Sequence, residues 1–263
     1  MEVLLAFDIG NTNIKVGLFE GEQLHASFRI ATDLLKTSDE YGVQVRELIK
    51  AVGCSYQQVD GVIMSSVVPG VNYTIEHMIA DYFHITPHIV GPGIKTGLNI
   101  LYENPREVGA DRIVNAVSAF ERWGGPVIVI DFGTATTFSA VTQEGAFLGG
   151  AICPGVKVSM EALVRNTAKL PTVELVRPTK VINKTTVLNM QAGIIYGCAG
   201  QVAYIVDKMR QELQCPKAKV VATGGLANLI GGQLSIGMHV DPLLTLKGLE
   251  ILYRKNTQQG DKV

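Results

Sequence analysis

The chain has 263 residues, 47% of them hydrophobic, which is enough apolar material for one large domain or two modest ones. Its 23 basic and 24 acidic residues nearly cancel and form no long run of one sign, so the composition argues against binding to nucleic acid or to an anionic membrane. No apolar segment approaches the roughly 20 residues of a membrane span, and no basic leader precedes the first strand, so we expect a cytoplasmic protein with small-molecule partners.

The cysteine and histidine spacings favour neither disulfides nor a zinc site. The four cysteines form no CxxC pair, and a chain of this length does not need disulfides, so we expect reduced thiols. His84 and His88 stand four residues apart, but Pro87 prevents the helix that would bring the two rings together. We therefore expect two ordinary histidines there.

The first half of the chain reads as an antiparallel meander followed by β-α crossovers. The predicted elements are strands at 2–8, at 13–20 and after Gly21, a helix capped by Ser38 and ending near Val52, a strand at 61–69, a helix opened by Pro69, and a strand at 84–90. The predicted order is β-β-β-α-β-α-β.

The second half repeats this pattern. The predicted elements are a helix near 111–122, strands at 126–131, 136–142 and 146–152, helices from Gly155 and over 186–213, a strand at 218–223, and a last helix from Asp241. We therefore predict two α/β domains of the same topology facing one another across a cleft, at 1–117 and 118–255, followed by a polar tail at 256–263.

The same turn occurs once in each half. "DIGN" follows the first strand and "DFGT" follows the strand that begins the second half, so Asp8 corresponds to Asp131 and Gly10 to Gly133. A buried aspartate at a strand end is costly unless a cation or hydrogen-bond donors meet it, and glycine lets backbone N–H groups approach an anion. The pair therefore predicts a phosphate or metal site, although one copy alone would be read as an ordinary hairpin turn. The neutral donors are Asn11, Thr12, Thr134 and Thr136, and Lys15 could add a positive charge.

Other motifs add less. "GPGIKTG" at 91–97 does not match a dinucleotide-binding spacing and is interpreted as a loop. "TGG" at 223–225 joins a strand to a helix. It could accept a base or a ribose, or it could simply form a tight bend. Asp111 precedes a helix, so its local role is an N-cap, and the guanidinium of Arg112 suits a carboxylate or phosphate.

Taken together, the motifs resemble one family. "DIGNTNIKVG", "GADR", "DFGTATT", "GGAICPG", "TTVLNMQAG" and "TGGLA" occur in the order seen in type III pantothenate kinases and span nearly the whole chain. The resemblance implies the fold of the acetate and sugar kinase, heat-shock and actin superfamily, which is α/β with two RNase-H-like (actin-like ATPase) domains, mixed sheets and an ATP cleft between them. It also implies the first step of coenzyme A synthesis, the ATP-dependent phosphorylation of pantothenate.

The resemblance further implies a role for particular positions. Asp111 would be the catalytic base, and Asp131 would hold a monovalent cation, K⁺ or NH₄⁺. From general phosphoryl-transfer chemistry we also expect Asp8 to help to hold Mg²⁺ through water. The ATP-binding positions would be Asp8, Ile9, Gly10, Asn11, Thr12, Asn13, Ile14, Lys15 and Thr134. The pantothenate-binding positions would be Tyr102, Gly109, Ala110, Asp111, Arg112 and Thr186. A homodimer is implied as well, with the partner chain closing part of the pantothenate pocket.

Two alternatives stay open at this stage. Another small-molecule kinase of the superfamily, acting on a sugar, would use the same paired loops and an aspartate base. A regulatory protein that binds ATP without transferring phosphate would also keep the loops, although such relatives usually carry larger insertions.

Overall fold

The computed structural model describes residues 2–257 and is a mixed α/β protein. Its strands are β1 Val3–Ile9, β2 Asn13–Glu20, β3 Gln23–Ala31, β4 Val59–Ser66, β5 His88–Ile89, β6 Asn99–Ile100, β7 Val127–Phe132, β8 Ala135–Val141, β9 Ala146–Pro154, β10 Lys219–Thr223 and β11 Met238–Val240. Its α-helices are α1 Ser38–Ala51, α2 Pro69–Phe83, α3 Ala110–Trp123, α4 Val156–Arg165, α5 Thr186–Glu212, α6 Ala227–Gly231 and α7 Leu244–Thr257. Short 3₁₀ turns occur at Tyr56–Gln58 and Pro105–Glu107.

Among the described residues, the first of two compact units comprises residues 2–97, 103–118 and 244–257. Its sheet has the order β3-β2-β1-β4-β5, with β1 antiparallel to β2 and parallel to β4. Side chains alternate along β1, so Phe7 and its odd-numbered neighbours pack with α1 and α2. Ala6 pairs instead with Gly17, whose side-chain position is covered by Leu246 of α7. Asp8 lies on the same face of the sheet as Ala6. This face is covered by α7, and the first turns of α3 pack on α7.

The second unit comprises residues 98–102 and 119–243 and repeats the arrangement. Its sheet has the order β6-β9-β8-β7-β10-β11, in which β7 pairs antiparallel with β8 and parallel with β10. The core joins β7, β8 and β10 to α4, α5 and α6 through residues such as Ile130, Met160 and Val202. Apart from the added edge strand β6, the two sheets have one topology, which the sequence predicted from the repeated pattern.

Two helix starts differ from prediction. Thr37, not Ser38, caps α1, because its hydroxyl accepts from the N–H of Glu40 while the Glu40 carboxylate accepts from the Thr37 N–H at 2.8 Å. Likewise α3 begins at Ala110, one residue before Asp111, so Asp111 lies inside the first turn and is not the N-cap. The prediction that Asp111 is the N-cap of this helix was therefore wrong.

The last helix belongs with the first unit and not with the second half of the sequence, where the predicted range 118–255 had put it. The reason is packing: a Cβ at Gly248 would lie 2.3 Å from the Val114 carbonyl oxygen, so α7 and α3 approach closely. The Tyr253 hydroxyl of α7 also donates to Glu2 at 2.8 Å. Most of the predicted polar tail, 258–263, lies outside the described residues.

Within residues 2–257, no helix combines the length and the apolar character that a membrane crossing requires. All four cysteines fall in this range and are free thiols in the structure.

Candidate active site

Asp8 lies at the end of β1 between two polar neighbours supplied by the strands on either side. In the sheet register it is opposite Lys15 of β2 and opposite Ser65 of β4. The Lys15 ammonium lies 3.1 Å from Oδ2, and the Ser65 hydroxyl donates to Oδ1 at 3.1 Å. Both oxygens of this buried carboxylate are therefore engaged, which offsets the cost of removing its charge from water.

The turn after β1 presents backbone and small polar groups to solvent. Asn11, Thr12 and Asn13 are exposed, and the turn is closed by a hydrogen bond from the Gly10 N–H to the Asn13 carbonyl at 3.1 Å. The Thr32 hydroxyl, just after β3, donates to the Gly10 carbonyl at 2.6 Å and so holds the turn against the end of β3. The arrangement can offer N–H and amide donors to an anion.

Two residues of that predicted loop point elsewhere. Ile9 and Ile14 are fully buried in the core under α1 and α2, so only their backbone groups are available to a ligand. The Ile9 carbonyl is already used, because it accepts from the Val67 N–H at 3.1 Å.

Asp111 stands in the first turn of α3, within the same unit as Asp8. Burial raises the pKa of the Asp111 carboxyl above its usual value, and the negative charge of Asp8 raises it further. The N–H of Arg112, which donates to Oδ1 at 2.8 Å, opposes the rise, as do the charges of Arg112 and Lys15. A raised pKa makes the Asp111 carboxylate a stronger base than an ordinary aspartate, which suits a group that accepts a proton.

Gly109 makes room for that carboxylate. A Cβ at Gly109 would lie only 2.5 Å from the Asp111 Oδ1, and the Gly109 carbonyl accepts from the Arg112 N–H at 3.0 Å. The "GADR" sequence therefore has a local explanation: glycine leaves the space, and the helix start that follows orients the acid. Arg112 itself is buried.

The equivalent position in the second unit is Asp131, near the end of β7. It is opposite Thr137 of β8 and Thr223 of β10, so these three side chains share one face of the sheet. The Thr223 hydroxyl is fully buried and has no hydrogen-bond partner among the residues that the structure describes. An orphaned hydroxyl beside a carboxylate is costly and favours a ligand at this place.

Backbone contacts hold the second turn in position. Gly133 and Thr134 are exposed, and the Gly133 N–H donates to the Ala135 carbonyl at 3.1 Å, just as Gly10 closes the first turn. A Cβ at Gly155 would lie 2.1 Å from the Thr134 carbonyl oxygen. Gly224 has φ +94°, and a Cβ there would lie 2.6 Å from the backbone of Phe132. Both glycines are therefore required by close backbone approach.

The remaining predicted residues also fall in the second unit. Tyr102 follows β6 and its ring lies 3.1 Å from the position of a Cβ on Gly149. Thr186 is exposed at the start of α5, and Thr185 caps the helix by accepting from the Leu188 N–H at 3.3 Å. Thr186 lines a cavity of about 680 Å³ between α4 and α5, together with Ser159 and Asn189.

Sequence reasoning missed Ser65. The two serines lie within the strand predicted at 61–69, but a serine gains this role only when β4 pairs in parallel with β1 in the register that puts Ser65 opposite Asp8. Local sequence does not determine that register.

Comparisons with known proteins identify the family and the fold of this chain. A model of the type III pantothenate kinase family matches residues 4–208. Among solved structures, a Campylobacter jejuni protein provisionally assigned to a Baf family of transcriptional activators has a TM-score of 0.62 at 17% identity, covering 97% of this chain and 99% of that one. The inorganic polyphosphate/ATP-glucomannokinase of Arthrobacter has a TM-score of 0.51 at 12% identity, covering 98% and 100%.

A third structure, the ROK hexokinase of Thermus thermophilus, has a TM-score of 0.53 at 11% identity and covers 95% of this chain and 98% of that one. At these identities the structural likeness shows the fold, which is the two-domain fold of actin-like ATPases and ROK kinases. The family match extends over well more than half of the sequence. The chain therefore belongs to the type III pantothenate kinase family, and its family and fold together support a phosphotransferase.

Proposed function

We propose that the protein transfers the γ-phosphate of ATP to pantothenate, giving 4′-phosphopantothenate in the first step of coenzyme A synthesis. The observation that carries the proposal is that Asp111 is a buried acid whose pKa is raised by burial and by the charge of Asp8, within one unit of a chain that belongs to this family. Because that pathway starts from small polar molecules and ATP, we place the reaction in the cytoplasm.

In the proposed mechanism Asp111 accepts the proton of the pantothenate primary hydroxyl as that oxygen attacks phosphorus. Phosphoryl transfer proceeds through a loose transition state, so the protein mainly aligns the groups and balances their charge. The raised pKa of Asp111 suits this role, because a base is most effective when its pKa approaches the working pH. Gly109, Ala110 and Arg112 would hold the substrate around the base, with Tyr102 and Thr186 completing the set.

Each Asp-x-Gly turn, considered within its own unit, is proposed as a phosphate-binding turn for ATP. The first turn would contribute the backbone of Asp8 to Lys15 with the side chains of Asn11, Thr12 and Asn13, and the second would contribute Thr134. The exposed donors of both turns support this assignment.

Asp8 fits a water-mediated role toward Mg²⁺. The Lys15 ammonium, 3.1 Å from Oδ2, repels a second cation placed directly on this carboxylate, whereas a metal-bound water could donate to one of its remaining lone pairs. When bound, Mg²⁺ would neutralise charge on the β- and γ-phosphates.

Asp131 fits a monovalent cation, K⁺ or NH₄⁺. The carboxylate shares its face of the sheet with Thr137 and with the orphaned hydroxyl of Thr223, so oxygen donors surround the position. When bound there, the cation would reduce the repulsion between Asp131 and the phosphates of ATP.

A homodimer is proposed from the surface of the second unit. Large apolar side chains are exposed on α4 and α5, among them Leu163 at 41% and Tyr204 at 65%. Exposed apolar side chains on neighbouring helices are typical of protein interfaces. Light scattering of the purified protein distinguishes a 28.3 kDa monomer from a dimer.

The reaction is tested by ADP release with and without pantothenate, in the presence of Mg²⁺ and K⁺. We expect pantothenate-dependent ADP release that falls when Na⁺ replaces K⁺, because the smaller, more strongly hydrated ion fits the Asp131 position less well. A panel of sugars in the same assay separates the alternative sugar kinase. ATP binding without ADP release for any alcohol would favour the regulatory alternative and overturn the proposal.

Lys15→Met should shift the pH dependence of the reaction. Asp111 must be ionised to act as a base, so kcat/KM falls as the pH drops through the pKa of its carboxyl. The positive charge of Lys15 lowers this pKa, and its removal should therefore move the acid limb of the pH profile to higher pH. The measurement is kcat/KM against pH for both proteins, with the exposed Lys50→Met as the control; an unchanged limb in Lys15→Met would contradict the coupling.

A further inference from the structure

Three metal-ligating side chains meet on the first unit, on residues that the proposed reaction does not use. They are Glu20 at the end of β2, His25 in β3 and Cys54 just after α1, and their ligand atoms all lie within 4.8 Å of one another. Glu20 and His25 are exposed by 42% and 37% of their side chains, so an ion in solution can reach the cluster.

A β-bulge brings His25 to this place. The pairing of β2 with β3 passes from Leu18 opposite Ala26 to Phe19 opposite Leu24, which leaves His25 as the extra residue. Bulges bend the strand locally and redirect the side chain of the extra residue. Glu20 is opposite Gln23, and its Oε1 lies 3.7 Å from the His25 Nδ1, so the two side chains meet on one face of the hairpin.

The end of α1 fixes the position of Cys54. The Gly53 N–H donates to the Lys50 carbonyl at 3.0 Å, and the Cys54 N–H donates to the Ile49 carbonyl at 3.3 Å. With Gly53 at φ +81°, these two bonds form a Schellman motif, in which Cys54 is the second residue beyond the helix cap. The thiol is thus carried by a defined backbone and not by a free loop.

The hydrogen bonding of His25 prepares one ring nitrogen for a metal. Nε2 lies 3.4 Å from the Val52 carbonyl oxygen, and since a carbonyl only accepts, the proton of the neutral ring belongs on Nε2. The lone pair of Nδ1 then faces the Glu20 Oε1 at 3.7 Å. Metal-binding histidines commonly donate their other N–H to a backbone carbonyl in this way.

The separation of the Glu20 and His25 ligand atoms suits a tetrahedral ion. With metal bonds near 2.1 Å to nitrogen and oxygen, two such ligands of a tetrahedral zinc site stand about 3.4 Å apart. The observed 3.7 Å between Nδ1 and Oε1 is close to that value and beyond a hydrogen bond. A carboxylate and a thiolate together would balance the charge of a divalent ion.

We propose that Glu20, His25 and Cys54 form a binding site for a zinc-class divalent ion, with the fourth position open to water. Thiolate and imidazole ligands favour Zn²⁺ over Mg²⁺ and Ca²⁺, which prefer oxygen, so this site is chemically distinct from the position proposed for Mg²⁺. The ion would join the β2–β3 hairpin to the end of α1.

Cobalt provides the test, because Co²⁺ takes zinc positions and a Co²⁺–thiolate bond has a charge-transfer absorption in the near ultraviolet. We expect titration of the chelator-treated, reduced protein with Co²⁺ to give this absorption at one equivalent, and Zn²⁺ to abolish it. Cys54→Ser should remove the charge-transfer band, and His25→Asn and Glu20→Gln should weaken Co²⁺ binding at least tenfold.

Matched controls are Cys215→Ser and His84→Asn, which remove a thiol and an imidazole elsewhere and should leave the titration unchanged. Melting curves establish that each variant is folded, and Zn²⁺ should raise the Tm of the wild type but not that of Cys54→Ser. A thiolate band that persists in Cys54→Ser, or wild-type protein without such a band, would overturn the proposal. Neither measurement depends on kinase activity, so its outcome is independent of the proposed reaction.

Discussion

Asp111→Asn is expected to lower turnover on pantothenate by about 10²–10⁴-fold, because assistance by a general base typically contributes that much. Asparagine keeps the Oδ1 acceptor that the Arg112 N–H uses at 2.8 Å, so the start of α3 should be preserved. The amide cannot take up the proton of the attacking hydroxyl. Steady-state kinetics at saturating pantothenate measures the loss, and the KM for ATP should change little.

The same substitution should not destabilise the protein at neutral pH. Burial and Asp8 raise the pKa of Asp111 in the folded protein above its value in the unfolded chain. Ionisation of this carboxyl therefore destabilises the folded state at high pH. This destabilisation disappears as the pH falls from the folded-state pKa to the unfolded-state pKa. The neutral amide avoids the cost at every pH. We therefore expect the Tm of Asp111→Asn to equal or exceed that of the wild type at neutral pH, with the difference shrinking in acid.

Asp81→Asn is a suitable control for Asp111→Asn, because Asp81 is an exposed residue of α2 in the same unit. Its kinetics and its Tm should match the wild type within error. If Asp111→Asn retained wild-type turnover at saturating pantothenate, Asp111 could not be the base. If it lost turnover together with a lower Tm, the loss could be attributed to misfolding.

Those features that depend on local pattern could be predicted from the sequence. The repeated strand-turn signal around Asp8 and Asp131 predicted two sheets of one topology, because alternation and turn residues are encoded within a few positions. Pro69 was placed correctly at the start of α2 for the same reason. The motif order identified the family, which the family model confirms over residues 4–208.

Features that depend on long-range packing could not be predicted. Ser65 reaches Asp8 only through the register of β4, and α7 joins the first unit only because Gly248 lets it approach α3. The cluster of Glu20, His25 and Cys54 combines a bulge with a helix cap from a distant part of the chain. None of these three arrangements has a signature in the spacing of residues.

The second prediction with a large expected effect concerns Gly155. Its φ of −66° and ψ of 156° are open to any residue, so alanine introduces no backbone strain. The added Cβ would instead lie 2.1 Å from the Thr134 carbonyl oxygen and 2.7 Å from that of Gly133. Such a contact cannot be relieved by rotating a side chain, so the turn at Gly133 and Thr134 must move.

Gly155→Ala should therefore raise the KM for ATP at least tenfold and lower the free energy of unfolding by about 1–3 kcal/mol, the usual cost of overpacking. Gly91→Ala is the matched control, because no described atom lies within 4 Å of a Cβ at Gly91, and it should leave both quantities unchanged. Kinetics in varied ATP and denaturant unfolding measure the two effects. A destabilised Gly155→Ala with an unaltered KM for ATP would mean that the turn at Gly133 and Thr134 does not hold the nucleotide, since the substitution acts on that turn directly.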